Sequence, residues 1–173
     1  MTNARSQLGI HLRPATPEDR FRIRRWLAEP QIQAWWGNAA SAEAEINLAM
    51  SSEAALCRVI EHGATPIGYG HAVEIGLWGG PRPDELAPGA WDVDLFIASE
   101  AHRGRGLGAA ALDMLVGEVF ATTLAVACCG LVSIRNEAGA RAYERAQFGW
   151  RQIWNDPLFG PSWLMLRERP PSM

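Results

Sequence analysis

Six residues, Arg103-Gly104-Arg105-Gly106-Leu107-Gly108, constrain this 173-residue chain more than any other stretch. They join two segments of different period. Upstream, Trp91, Val93, Leu95 and Ile97 alternate with Asp92, Asp94, Phe96 and Ala98, as the two faces of a strand do. Downstream, Leu107, Ala111, Leu112, Leu115, Val116, Val119 and Phe120 recur at helical spacing. A strand, a glycine turn and a helix bring backbone N–H groups and the positive end of the helix dipole to one point. The glycines let an anion approach closely there. Arg103 and Arg105 can add charge-assisted contacts. The pattern therefore predicts a pyrophosphate-binding turn. It is not a Rossmann fingerprint, because the third glycine comes one residue early and no acid ends the next strand. Nor is it a P-loop, which needs Gly-Lys-Ser/Thr.

The remaining punctuation gives a mixed α+β order. Leu8 to Arg13 reads as a strand. Thr16-Pro17-Glu18-Asp19 opens a helix to about Ala28, which Pro30 closes. Gln31 to Trp36 is a short helical piece, and Ser41 caps a helix through Met50. Strands Ala55 to Glu61 and Ile67 to Ile75 flank a hairpin at His62-Gly63-Ala64-Thr65-Pro66. Gly76 to Gly89 is a long Gly/Pro-rich loop holding Asp84 and Glu85. Leu124 to Gly130 is a buried strand and Asn136 to Ala146 a helix. Phe148 to Trp154 and Trp163 to Arg167 are closing strands.

Composition sets limits on function. A length of 173 residues with 48% apolar content suits one domain, residues 1–173, with its own core. The net charge of −3 provides no basic field for nucleic acid. Met1 to Ile10 lacks the apolar run of a signal peptide, and Leu124 to Val132 is too short to span a membrane. Cys57, Cys128 and Cys129 are an odd number set in apolar runs, which points to a reducing cytoplasm rather than a disulfide framework. No His/Cys spacing suits a metal.

Two motifs carry a resemblance. Arg103-x-x-Gly106-x-Gly108 resembles the CoA pyrophosphate turn of the GNAT acetyltransferases. The stretch from Asn136 through Ala140 and Tyr143-Glu144 to Phe148 resembles the family's later Asn–helix–Tyr signature, with Gln147 where glycine is usual. Asn136, Ala140 and Tyr143 fall on one helix face, and small Ala140 leaves room for a slim ligand. The resemblance implies a GNAT fold, in which a mostly antiparallel sheet flanked by helices splays two parallel strands around acetyl-CoA. It implies direct acetyl transfer to an amine with no metal. Phe96, Ile97, residues Arg103, Gly104, Arg105, Gly106, Leu107 and Gly108, and Asn136 are the expected cofactor contacts.

Trp26-Leu27, Trp35-Trp36-Gly37, Pro66-Ile67-Gly68-Tyr69, Asp94 and Gly160-Pro161 look like aminoglycoside 6'-N-acetyltransferases. That resemblance implies a small cationic acceptor and an antibiotic-resistance role, and makes Asp94 the residue handling the amine and Tyr143 the acid for the thiolate. Trp35, Trp36, Trp91, Asp84, Glu85, Asp92 and Asp156 are the expected acceptor contacts, since carboxylates attract polyamines and indoles pack on sugar faces or ammonium groups. The pattern departs at Leu131-Val132-Ser133 and at Phe159, where those enzymes carry acids. Siderophore-type hydroxylysine acetyltransferases share the Trp-rich pattern, and an acetyl-CoA-binding module without turnover is a reading of another class. The chain is expected to be a monomer or homodimer.

Overall fold

The computed structural model describes residues 8–171, so most of the amino-terminal stretch read for a signal peptide lies outside the described residues. The alternating segments pair into one seven-stranded sheet: β1 (Ile10–Pro14), β2 (Ala55–His62), β3 (Thr65–Glu74), β4 (Ala90–Ile97), β5 (Ala127–Ser133), β6 (Gly149–Asp156) and β7 (Gly160–Glu168). Their order is β1-β2-β3-β4-β5-β7-β6. All neighbours are antiparallel except β4 and β5, which run parallel and pair only from Ala90–Ala127 to Asp92–Cys129. Beyond Asp92 the two strands diverge, and the edge of β4 from Val93 to Ile97 faces a gap.

Helices cover both faces. On one lie α1 (Arg20–Leu27), α2 (Pro30–Trp36) and α3 (Ala39–Met50), packed on Cys57, Tyr69, Val73 and Phe96. On the other lie α4 (Leu107–Thr122) and α5 (Glu137–Arg145), packed on Ala72, Trp91, Val93 and Met165. This division follows from the period of two in β4, whose alternate residues enter opposite cores. Among the described residues no helix is long and apolar enough to cross a membrane.

Three boundaries differ from the sequence reading. Asn38, not Ser41, caps α3, its side-chain oxygen accepting the Ala40 and Ser41 N–H groups at 2.9 and 3.3 Å. Pro30 opens α2 at its first position as well as closing α1. β5 begins at Ala127 rather than Leu124, which is 96% exposed. The amino-terminal Thr16–Asp19 cap is present in another form. Asp19 accepts the Thr16 N–H at 2.9 Å, and Arg13 grips both its oxygens at 2.8 and 2.7 Å.

Candidate active site

The glycine turn closes β4 and opens α4. Gly104 and Gly106 have φ of 69° and 77°, in the region that favours glycine, and Gly106 is the residue preceding the first helical turn. Gly108 has an ordinary φ, and a Cβ there would approach nothing closer than 3.9 Å. Neither strain nor crowding requires glycine at 108, so its use there suits a ligand approaching the backbone. No acid occupies the first turn of α4, leaving its N–H groups free for an anion. Leu107 is buried, so it can offer only its backbone.

The two arginines do not share a role. Arg103 turns back from the turn, Nε donating to the Ile97 carbonyl at 2.8 Å, Nη2 to that of Ala98 at 2.8 Å and Nη1 to Gln31 Oε1 at 2.5 Å. Its guanidinium is committed within the protein, which corrects the expectation of a phosphate contact. Arg105 is exposed, and its one hydrogen bond among the described residues, to the Ala101 carbonyl, is long at 3.5 Å.

The edge of β4 holds both residues expected to be catalytic. Ala98 N–H donates to Ile67 at 2.7 Å, continuing the ladder of even-numbered residues toward β3. The odd residues face away from β3. The Val93 carbonyl accepts the Tyr143 hydroxyl at 2.5 Å, and the Leu95 N–H donates to Asp94 Oδ1 at 2.8 Å. Tyr143 rises from α5 on one face and Asp94 stands on the other, and both reach neighbouring backbone groups of the open edge. Phe96 is an even residue, so its backbone faces β3, and its ring packs edge-on against Trp36 at 5.1 Å. Of the two backbone sites expected near the acetyl group, Ile97 faces the gap and Phe96 does not.

Burial tunes these groups. Asp94 is raised well above the ordinary carboxylate range, first by desolvation and then by the charge of Asp92. Asp92 is pushed up to about 6 by desolvation, opposed by the hydrogen bond from Trp78 Nε1 at 3.2 Å and reinforced by Glu45 and Asp156. Tyr143 is held well above its usual value by burial and by Asp94, so its hydroxyl stays protonated.

The acceptor residues divide. Trp36, Asp92, Asp94 and Asp156 share one face. Trp91 lies on the other, packed under α4, because alternation opposes it to Asp92. Trp35 is 42% exposed and has no ring contact among the described residues. Asp84 and Glu85 point to solvent, while Trp78, Arg82, Pro83 and Leu86 of the same loop enclose a pocket of about 90 Å³ with Asp92, Cys129 and Leu131. Asn136 caps α5 through Gly139 N–H at 2.9 Å, a structural use of the residue expected at the cofactor. The sequence reading missed Glu45, His71 and Trp78. His71 had a signal, since it alternates in phase with Tyr69 on β3. Glu45 and Trp78 reach the site only through tertiary packing.

The model of the acetyltransferase (GNAT) domain matches residues 15–155. The chain belongs to the GNAT acetyltransferases. Aminoglycoside N(6')-acetyltransferase type 1 of Klebsiella pneumoniae is 28% identical over 171 residues, spanning 92% of this chain and 83% of that one. The structure of aminoglycoside acetyltransferase AAC(6')-Ib in complex with coenzyme A superposes with a TM-score of 0.82 at 25% identity, covering 92% and 95% of the two chains. A spermidine N-acetyltransferase of Vibrio cholerae shares the fold, with a TM-score of 0.72 at 15% identity over 92% and 95%. The mixed sheet with its parallel β4 and β5 matches the fold of these acetyltransferases.

Proposed function

We propose that this GNAT acetyltransferase, acting as a single domain, transfers the acetyl group of acetyl-CoA to the 6'-amino group of an aminoglycoside. The observation that carries the reading is that Asp94 and Tyr143 flank the same open edge of β4, at Leu95 and Val93, with Trp36, Asp92 and Asp156 on the Asp94 face. The named relatives support the acceptor class. The residues also fit acetyl-CoA. Open space surrounds Gly104 and Gly106, no side chain caps the first turn of α4, and Arg105 is exposed.

In this mechanism the carboxylates of Asp92, Asp94 and Asp156 hold the substrate ammonium. Asp94, with its raised pKa, takes a proton from it directly or through water. The freed nitrogen forms the amide bond at the thioester carbonyl, whose oxygen the Ile97 N–H stabilises. The carbon–sulfur bond breaks, Tyr143 delivers its proton to the departing sulfur, and the second proton that the attacking nitrogen loses on becoming an amide returns through solvent to Tyr143. A cytoplasmic location follows from the use of acetyl-CoA and agrees with three unpaired cysteines.

The first prediction tests this reading directly. Purified protein with acetyl-CoA and kanamycin should release CoA thiol, and expression in a sensitive bacterium should raise kanamycin resistance. No thiol from kanamycin, tobramycin or amikacin, with no change in resistance, would sink the assignment. Turnover of a hydroxylysine derivative instead would place the acceptor in siderophore assembly.

A further inference from the structure

One buried polar group on the acceptor face has no part in the mechanism above. His71 on β3 is the register partner of Asp94 on one side and Cys57 on the other. It is 3% exposed, with its ring 5.4 Å from Trp36 and 5.6 Å from Trp78. Its Nδ1 lies 3.2 Å from the Tyr69 hydroxyl, which also contacts the Cys57 thiol. A phenol is a stronger donor than a thiol, and an imidazole nitrogen a better acceptor than sulfur. Tyr69 therefore donates to Nδ1, and the ring proton resides on Nε2. Burial pushes the imidazole down to about 4, so it is neutral at working pH.

Nε2 has no protein partner among the described residues. No sealed side-chain nitrogen or oxygen among them lacks one, so the small exposed part of His71 includes Nε2. The ring stands beside Trp36 and Trp78 on the sheet face that Asp94, its register partner, also occupies. Four carboxylates, Asp92, Asp94, Asp156 and Glu45, gather around this face, and Trp78 Nε1 already donates to Asp92.

We propose that His71 determines acceptor specificity, its Nε2–H donating to a hydroxyl or ether oxygen of the amine's carrier, so that a hydroxylated amino sugar is selected over a plain alkyl polyamine. This rests on the aminoglycoside reading. Carboxylates bind any ammonium. A fully protonated alkyl polyamine offers no acceptor, and on binding it would seal the Nε2–H away from water unpaired. A site built to hydrogen-bond one substrate group rejects the analogue that lacks it.

The test uses the full chain with kanamycin and spermidine as probes. Dissociation constants are read by tryptophan fluorescence, and kanamycin turnover by thiol release. His71→Phe keeps a ring between the tryptophans and removes the donor. It should raise Kd and KM for kanamycin by about 10- to 100-fold, a loss in the range for an unpaired buried donor. Its kcat should stay within about threefold and the spermidine Kd within about twofold, since neither depends on that donor. His71→Gln returns an N–H and should restore kanamycin KM to within about fivefold. Nitrogen-15 spectra should place the ring proton on Nε2 at pH 7, even if a variant folds poorly. Equal losses for both amines, an unchanged kanamycin KM in His71→Phe, or a proton on Nδ1 would overturn the proposal while wild-type turnover stood. Absence of wild-type kanamycin turnover would instead overturn the aminoglycoside reading and this assignment with it.

Discussion

At Asp92, binding and stability pull in opposite directions. Its folded pKa of about 6 exceeds the ordinary 3.8, chiefly through desolvation. A raised pKa means that the folded state holds the proton more tightly, so the stability this confers is complete below about pH 4 and is lost as pH rises toward 6. At neutral pH the ionised group costs on the order of 1–3 kcal/mol, by the usual conversion of a pKa shift. Asp92→Asn should therefore raise Tm at pH 7 by several degrees, on the scale of about 2–4 °C per kcal/mol for a chain of this size. The gain should shrink at pH 4, where the native carboxyl is already neutral. The same substitution should lower kcat/KM for kanamycin at least about tenfold, because it removes one of the charges that the proposed mechanism sets against the ammonium. Thermal scans at the two pH values and steady-state kinetics check both halves, and a lower Tm at pH 7 would refute the account. In the wild type, KM for a cationic acceptor should fall as pH rises through 6.

Helix α5 shows how an element fixes the side chain of Tyr143, the proposed acid. Its end is a Schellman arrangement. Phe148 N–H bonds the Tyr143 carbonyl at 3.0 Å, Gln147 N–H bonds Glu144 at 2.9 Å, and the Tyr143 and Phe148 rings meet edge-on at 5.0 Å. The position between them must be left-handed, and Gln147 takes it at φ 68°, the sole non-glycine among the described residues with positive φ. Gln147→Gly should remove strain of about 1 kcal/mol and raise Tm while leaving kcat unchanged. A loss of stability on denaturant unfolding would contradict this. Gln147 was legible as a departure from the family pattern, but the reason lies in backbone geometry that the letters do not carry. The strands, the turn and the helices were legible because burial imposes a period on each. The direction taken by Arg103 was not, since an arginine among glycines reads equally as ligand or as brace. Trp91 was misplaced although the alternation already put it opposite Asp92. Asp84 and Glu85 were misplaced because loop acids near a site in sequence need not face it.

Across the whole molecule, the sheet separates two binding regions that one side chain connects. The glycine turn follows the end of β4, and the acceptor wall includes Trp36 at the end of α2. Arg103 joins them, gripping the Ile97 and Ala98 carbonyls, Gln31 at the start of α2, and Glu29 at 3.8 Å. A ligand that fixes the turn would then also fix α2, and with it Trp36 of the proposed acceptor wall. Linkage requires the effect to be mutual. CoA should tighten kanamycin binding, and kanamycin should tighten CoA binding by the same factor, in the range of about 5- to 150-fold usual for coupled sites. Arg103→Ala should bring that factor close to one. Arg105→Ala, which removes an exposed cation beside the turn, should weaken CoA alone and leave the factor intact. Calorimetry with each ligand, free and in the presence of the other, measures both quantities without turnover. An Arg103→Ala protein that is folded and keeps the wild-type factor would show that the turn and the acceptor wall are coupled by another route or not at all.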